Sequence, residues 1–341
     1  MLFSKSFEQV GLSVPRRTLV SLMICTIVVC LGASVARAAS NALWIVDPSH
    51  DQVDEYLPSE LKTSDTPTPL VVPIGAAPYG ACFDKSKNLW VTNRDEQILG
   101  FTASDLKQLP NAPNPSVTIT SASFSDIVGC AFDKHGNLWL ADLSNDSLDE
   151  ISGAQLSAGS GAITPAIIIT DSAEMSNAHP GFVTFDKSGN LWADGRSVEK
   201  LFKFSASQLT SGGDKTAAVI LSGGGSLSDP GQIGFDGQGN LWVPSYGDNT
   251  VVEFKKSQLK SSNDDAPAVT LSSDTLLGPW GLEFSGSNLW VMDYRDGNAQ
   301  EFSSSQIKKS GSPAPKVLLN DAAGADSWGI TFGPAFGKLP K

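Results

Sequence analysis

Apolar and polar positions along this chain recur in register about every fifty residues. Four segments share one form: Phe132-Asp-Lys-His-Gly-Asn-Leu-Trp-Leu140, Phe185-Asp-Lys-Ser-Gly-Asn-Leu-Trp-Ala193, Phe235-Asp-Gly-Gln-Gly-Asn-Leu-Trp-Val243 and, without Gly, Cys82-Phe-Asp-Lys-Ser-Lys-Asn-Leu-Trp-Val91. A fifth, Phe284-Ser-Gly-Ser-Asn-Leu-Trp-Val291, is one residue shorter, and Leu43-Trp44 is a sixth with no Phe-Asp before it. The repeated Trp are 44, 90, 139, 192, 242 and 290, at spacings of 46, 49, 53, 50 and 48. A period of that size, built from several short apolar runs, predicts a propeller or solenoid array and overrides the two-domain expectation from length.

Each unit reads as four strands. Strand A ends at Phe-Asp, and Asp-x-x-Gly-Asn is a hairpin turn in which Gly and Asn tolerate left-handed backbone. Strand B is Asn-Leu-Trp-Val. Strand C ends in an aromatic residue or Ile, as in Leu201–Phe204 and Val251–Phe254. A short Ser-x-Leu element follows, as in Ser207-Gln-Leu209, and then a β-branched strand D that tolerates Pro as an outer edge. The N-terminus supplies only B, C and D (Leu43–Val46, Val53–Tyr56, Leu70–Val72), and the C-terminus supplies a lone strand A, Trp328–Phe332. Joined, they complete a sixth unit and close a ring, which removes exposed sheet edges. The expected fold is therefore all-β: a six-bladed β-propeller of four-stranded antiparallel blades, closed by a C-terminal innermost strand.

Residues 1–38 read as a signal peptide. Arg16-Arg17 precede an apolar run from Thr18 to about Val35, and Ala36-Arg37-Ala38 is a cleavage pattern. An uncleaved anchor is the alternative, because the run is nearly long enough to span a bilayer. Residues 39–341 then form one propeller domain, secreted or periplasmic and by default a monomer. The whole chain carries a net charge of −12, and without residues 1–38 it keeps 20 basic and 35 acidic residues. That charge disfavours nucleic acid and anionic membrane surfaces as partners. Cys82 and Cys130 lie one and two residues before Phe-Asp in equivalent strands, so alternation aims them at different faces. Two free, buried thiols are the expectation.

The motif Pro-x-Gly-Φ-x-Phe-Asp-x-x-Gly-Asn-Leu-Trp-Val, over residues 42–333, resembles the NHL-repeat propellers. It is also similar to the streptogramin (virginiamycin B) lyase and SMP-30/gluconolactonase groups. The NHL resemblance implies a binding scaffold. The other two imply metal-assisted chemistry, with histidines and a divalent cation in one case and oxygen ligands around one divalent ion in the other.

The repeated Trp are core, one per blade, and Phe-Asp with Gly-Asn is turn chemistry. The B–C loops and D–A connections vary, and variable loops on a rigid scaffold are where binding resides. Aligning the strand A entries on Gly 80, 129, 181, 231, 281 and 329 puts Tyr79, Trp280 and Trp328 at one position in three adjacent blades. His179 and Asp229 fall one residue earlier in two others. The B–C loops add Arg94, Arg196, Tyr246, Arg295 and several aspartates, among them Asp47, Asp142, Asp194 and Asp293. Such a mouth suits a small molecule, a glycan or a protein, although Trp280 and Trp328 could equally plug the channel.

Enzymatic chemistry is the other reading. His179 and Asp229 are its acid/base or ligand pair, and Asp126, Asp229 and Asp326 are candidate oxygen ligands for calcium or magnesium. Only three His occur in the chain, His135 lies in an A–B turn, and no nucleophile elbow, Walker loop or His-Glu-x-x-His is present. The sequence therefore favours a ligand-binding scaffold, with a metal-assisted lactone hydrolase or lyase as the alternative.

Overall fold

A computed structural model of the chain describes residues 41–320 and 326–336. The expected signal segment lies outside the described residues. Six sheets, each built on four antiparallel strands, form a six-bladed β-propeller. Blade 2 shows the pattern in full: strand A is Pro78–Phe83, B is Leu89–Asn93, C is Gln97–Phe101 and D is Val117–Thr120. Blades 3 to 6 repeat it within 127–170, 183–221, 234–271 and 279–319. Blade 1 takes B, C and D from the N-terminal part (Ala42–Asp47, Gln52–Tyr56, Leu70–Pro73) and A from Ile330–Gly333, which pairs antiparallel with Ala42–Asp47.

The repeat is physically explained by two contacts. In blades 2 to 5 the Asp after Phe accepts from both the backbone and the side chain of the Asn four residues on, as Asp186 does from Asn190 at 3.0 and 2.7 Å. That Asn then accepts from the first residue of the C–D element, as Asn190 Oδ1 does from Ala206 N at 3.0 Å, so one side chain ties two turns together. Blade 6 has Ser285 in place of the Asp, and Asn288 Nδ2 donates instead to Glu301 Oε1 at 2.6 Å. The second contact runs between blades: each strand B Trp packs edge-on or tilted against the strand A Phe of the next blade. The centroid distances are 5.4, 6.3, 6.4, 6.2, 6.0 and 6.1 Å, from Trp44–Phe83 round to Trp290–Phe332. All six Trp are buried, so the core lies in the seams between blades.

The outer edges of blades 2 to 6 are closed as well. The C–D segment of one blade runs parallel to strand D of the blade before it. Gly161–Ala162 pairs with Ile119–Thr120, and Gly213–Asp214 with Ile169–Thr170. In blades 2, 4, 5 and 6 a Ser hydroxyl on that segment accepts from the outward N–H of strand D, as Ser160 does from Thr118 at 2.9 Å and Ser64 from Leu318 at 3.0 Å. Strand D is thus an inner partner in those blades.

Cys82 and Cys130 form a disulfide, with Cα atoms 6.0 Å apart, which corrects the expectation of free thiols. Side chains alternate faces within one sheet, but these strands belong to neighbouring blades stacked face to face. Cys82 opposes Trp90, whose face looks towards blade 3, and Cys130 opposes Leu140, whose face looks towards blade 2. Side chains on opposite faces of adjacent blades point at each other. The one-residue offset is what brings the two sulfurs together.

Candidate functional site at the channel mouth

Strand A is the innermost strand, and three of its copies carry a register shift next to the Gly used for alignment. The shifts fall between Pro78 and Gly80, between Ile127 and Cys130, and between Pro279 and Gly281. A bulge leaves one residue without a cross-strand partner and re-aims its side chain. Here it turns Tyr79, Val128 and Trp280 out of their blades and into the channel. The Gly that follows is sterically required in two of them: a Cβ on Gly80 would lie 2.3 Å from Val128 O, and one on Gly129 would lie 2.8 Å from Gly181 O.

The off-repeat aromatics form one contiguous cluster. Trp280 contacts Trp328 at 6.0 Å, Tyr246 at 5.5 Å, Tyr294 at 5.9 Å and Phe182 at 6.4 Å, and Trp328 stacks on Tyr79 at 4.7 Å. Their exposure divides plug from platform. Trp280 is 3 % exposed and, with Phe182 and Val128, fills the channel. Tyr79, Trp328, Tyr246 and Tyr294 are half-buried and face the mouth. Gln232 crosses beneath them from blade 5 to blade 1, donating from Nε2 to Ile330 O at 2.7 Å and accepting from Ile330 N at 3.0 Å.

Two arginines lie on this surface. The Arg196 guanidinium carbon sits 4.4 Å from the Trp280 ring centroid and 5.9 Å from that of Trp328, and its Nε bonds Asp229 Oδ1 at 3.0 Å. Arg295 lies 4.9 Å over the Tyr246 ring and donates to the Tyr246 hydroxyl at 3.3 Å. Burial first, and then a hydrogen bond to Asp326, raises the Tyr294 phenol above its ordinary range. Arg94 is exposed in the blade 2 loop, and its side chain has no hydrogen-bond partner among the described residues.

His179 and Asp229 line one depression of about 400 Å³ with Leu143, Arg196, Ser197, Glu199 and Ser228. Each is engaged elsewhere. His179 Nδ1 is 2.7 Å from Ser197 Oγ, and Asp229 takes Arg196. Asp126, Asp229 and Asp326 do not converge. They occupy equivalent left-handed turns at the entries of blades 3, 5 and 1, with φ of 60°, 49° and 74°. Asp tolerates that conformation better than most residues. The Asp126 carboxylate accepts from Ser144 Oγ at 2.6 Å. Among the described residues no three His, Cys, Asp or Glu come together as a metal-holding group.

The loop aspartates also belong elsewhere. Asp47, Asp142, Asp194 and Asp293 are at most 1 % exposed; three of them end strand B, and Asp194 is the last residue but one of its strand. Three of them hold the D–A loop by its backbone: Asp142 accepts from Ser125 N, Asp194 from Gly181 and Phe182 N, and Asp293 from Leu277 and Gly278 N. Burial pushes Asp194 up to about 7 and Asp142 up to about 6, against these hydrogen bonds. Phe182 and Gln232 were not singled out from the sequence, whereas Tyr294 belongs to the B–C loop residues that the sequence places at the mouth. Phe182 and Gln232 each follow the alignment Gly by one residue, so the same alignment read one position further displays both.

No family model matches this chain, and no curated protein matches it. Solved structures share its fold. A nidogen/laminin complex aligns with a TM-score of 0.62 at 15% identity, covering 87% of this chain and 100% of that one. A protein of unknown function from Bacteroides caccae gives 0.58 at 10% identity, with 87% and 100% covered. A streptogramin B lyase gives 0.53 at 13% identity, with 88% and 89% covered. These likenesses establish the propeller fold.

Proposed function

We propose that this protein is an extracytoplasmic binding module that takes up a ring-bearing ligand, a glycan or another small molecule, at the channel mouth. The observation that carries the reading is the division of the aromatic cluster into a buried floor, Trp280, and a half-exposed wall of Tyr79 and Trp328 stacked at 4.7 Å. A flat apolar wall beside oriented arginines suits a sugar or aromatic ring with polar substituents. Arg196 is positioned in advance by Asp229 and the Trp280 face, which lowers the ordering cost of binding. The test is a glycan array probed with the protein, followed by calorimetric titration of the hits against Trp328→Ala and Arg196→Ala. Saturable binding that weakens at least about tenfold in Trp328→Ala, with the melting temperature kept, supports the reading. Hits indifferent to both substitutions, or no hits, overturn it.

A metal-assisted lactone hydrolase or lyase is the second reading. It rests on the shared depression of His179 and Asp229. Its test is a thermal-shift titration with calcium, magnesium, manganese and zinc. A saturable rise lost in His179→Ala supports it.

A further inference from the structure

We propose that the groove between blades 4 and 5, on the face opposite the mouth, binds a small amphipathic organic anion: one or two rings carrying a phosphate, sulfate or carboxylate. The groove has a volume of about 320 Å³. Its apolar surface is Phe185 and Phe235, the strand A aromatics of the two blades, with Leu259 from the blade 5 C–D element. Four lysines surround it: Lys187, Lys203, Lys256 and Lys260.

The charge pattern is what singles it out. This chain carries a net charge of −12, yet these four lysines face a single carboxylate, Asp186. That carboxylate is committed to its own turn, accepting from Ser188 N, from Asn190 N and Nδ2 and from Trp192 Nε1. No ion pair involves any of the four lysines among the described residues. Lys187 donates across the seam to Gly237 O, and Lys203 sits 5.5 Å over the Trp192 ring and 3.5 Å from Leu259 O. The Lys256 and Lys260 ammonium groups have no partner among the described residues.

Equivalent grooves between other blades carry no excess of lysines over carboxylates. The one between blades 2 and 3 sets Lys85 and His135 against Asp84 and Asp133. The one between blades 5 and 6 sets Lys255 and Lys308 against Asp236 and Glu253. Repetition therefore makes the cleft, and this copy alone of the three carries an uncompensated positive charge. Clustered ammonium groups repel one another, and an anion relieves that repulsion while its apolar body covers the Phe185–Phe235 floor. A volume near the lower end for small-molecule sites limits the ligand to one or two rings.

The test is calorimetric titration of the full-length protein with 2-naphthyl phosphate, 2-naphthol and inorganic phosphate. The expected result is saturable binding of 2-naphthyl phosphate, at least about tenfold tighter than either fragment, weakening as salt is raised. Binding should fall at least about tenfold in K256E/K260E and in the milder K256Q/K260Q, and persist in Arg196→Ala, which alters only the mouth. Equal binding of inorganic phosphate, equal binding of 2-naphthol, loss only in Arg196→Ala, or no saturable binding each overturns the proposal.

Discussion

Trp290 and Phe332 meet with ring centroids 6.1 Å apart and planes at 65°, the same relation that joins the five other blade seams. Phe332 stands 42 residues beyond Trp290, on the C-terminal strand that completes the N-terminal blade. The final seam therefore uses the same side-chain pair as the rest, and the ring is closed by packing as well as by the strand pairing of Ile330–Gly333 with Ala42–Asp47.

Phe332→Ala should therefore destabilise the whole domain. Truncating a packed Phe costs about 3–5 kcal/mol when fully buried, and Phe332 is half-buried, so about 2–3 kcal/mol is expected from urea unfolding. Phe132→Ala, at an internal seam, should cost a similar amount. A change below about 0.5 kcal/mol at Phe332 would mean that this seam does not contribute to closure.

The Cys82–Cys130 disulfide closes a sequence separation of 48 residues and ties blade 2 to blade 3. Loop-closure entropy for that length amounts to about 4 kcal/mol, with engineered cases commonly lower. Cys130→Ser, or reduction with dithiothreitol, should lower the melting temperature by several degrees. Peptide mapping without reductant should recover the two cysteines as one cross-linked pair. Unlinked thiols in that map would refute the assignment.

Repetition decided which parts of this molecule could be read in advance. Asp186 with Asn190, and Trp192 with Phe235, recur at fixed offsets, so strands, turns and ring closure were legible from the sequence alone. The aromatic wall was partly legible because Tyr79, Trp280 and Trp328 break the repeat at one position. What was not legible depends on relations between blades. Cys82 and Cys130 aim at opposite faces of their own sheets and so at each other, and Asp194 turns inward to hold Gly181 and Phe182 instead of facing solvent. The lysine groove was hidden for the same reason, since Lys187 and Lys256 come from different units.

Trp280 and Trp328 should separate stability from binding. Trp280 is 3 % exposed and touches five aromatic or cationic partners, so Trp280→Ala should cost about 3–5 kcal/mol in urea unfolding. Trp328 is half-buried, and Trp328→Ala should cost about 1–2 kcal/mol while removing the stacking face. Equal losses of stability would contradict the division between floor and wall.

Stability should fall as pH rises from about 4 to 8. Burial, with Asp47 nearby, pushes Asp54 up to about 8, and burial, with Asp142 nearby, pushes Asp149 up to about 7. Both are 1 % exposed, and Asp149 Oδ2 has no hydrogen-bond partner among the described residues. The ordinary value of each in the unfolded chain is 3.8, so between there and the folded value the folded state holds protons that the unfolded state has released. Raising pH through that window removes stability, and below it these two groups contribute no pH dependence. Asp149 alone accounts for up to about 4 kcal/mol across the window. The melting temperature should accordingly be higher at pH 5 than at pH 8. Asp149→Asn, which cannot ionise, should narrow that difference by raising stability at pH 8. A melting temperature that is flat or rising between pH 5 and 8, in the parent and the variant alike, would show that these carboxylates are not the buried, protonated groups the structure makes them.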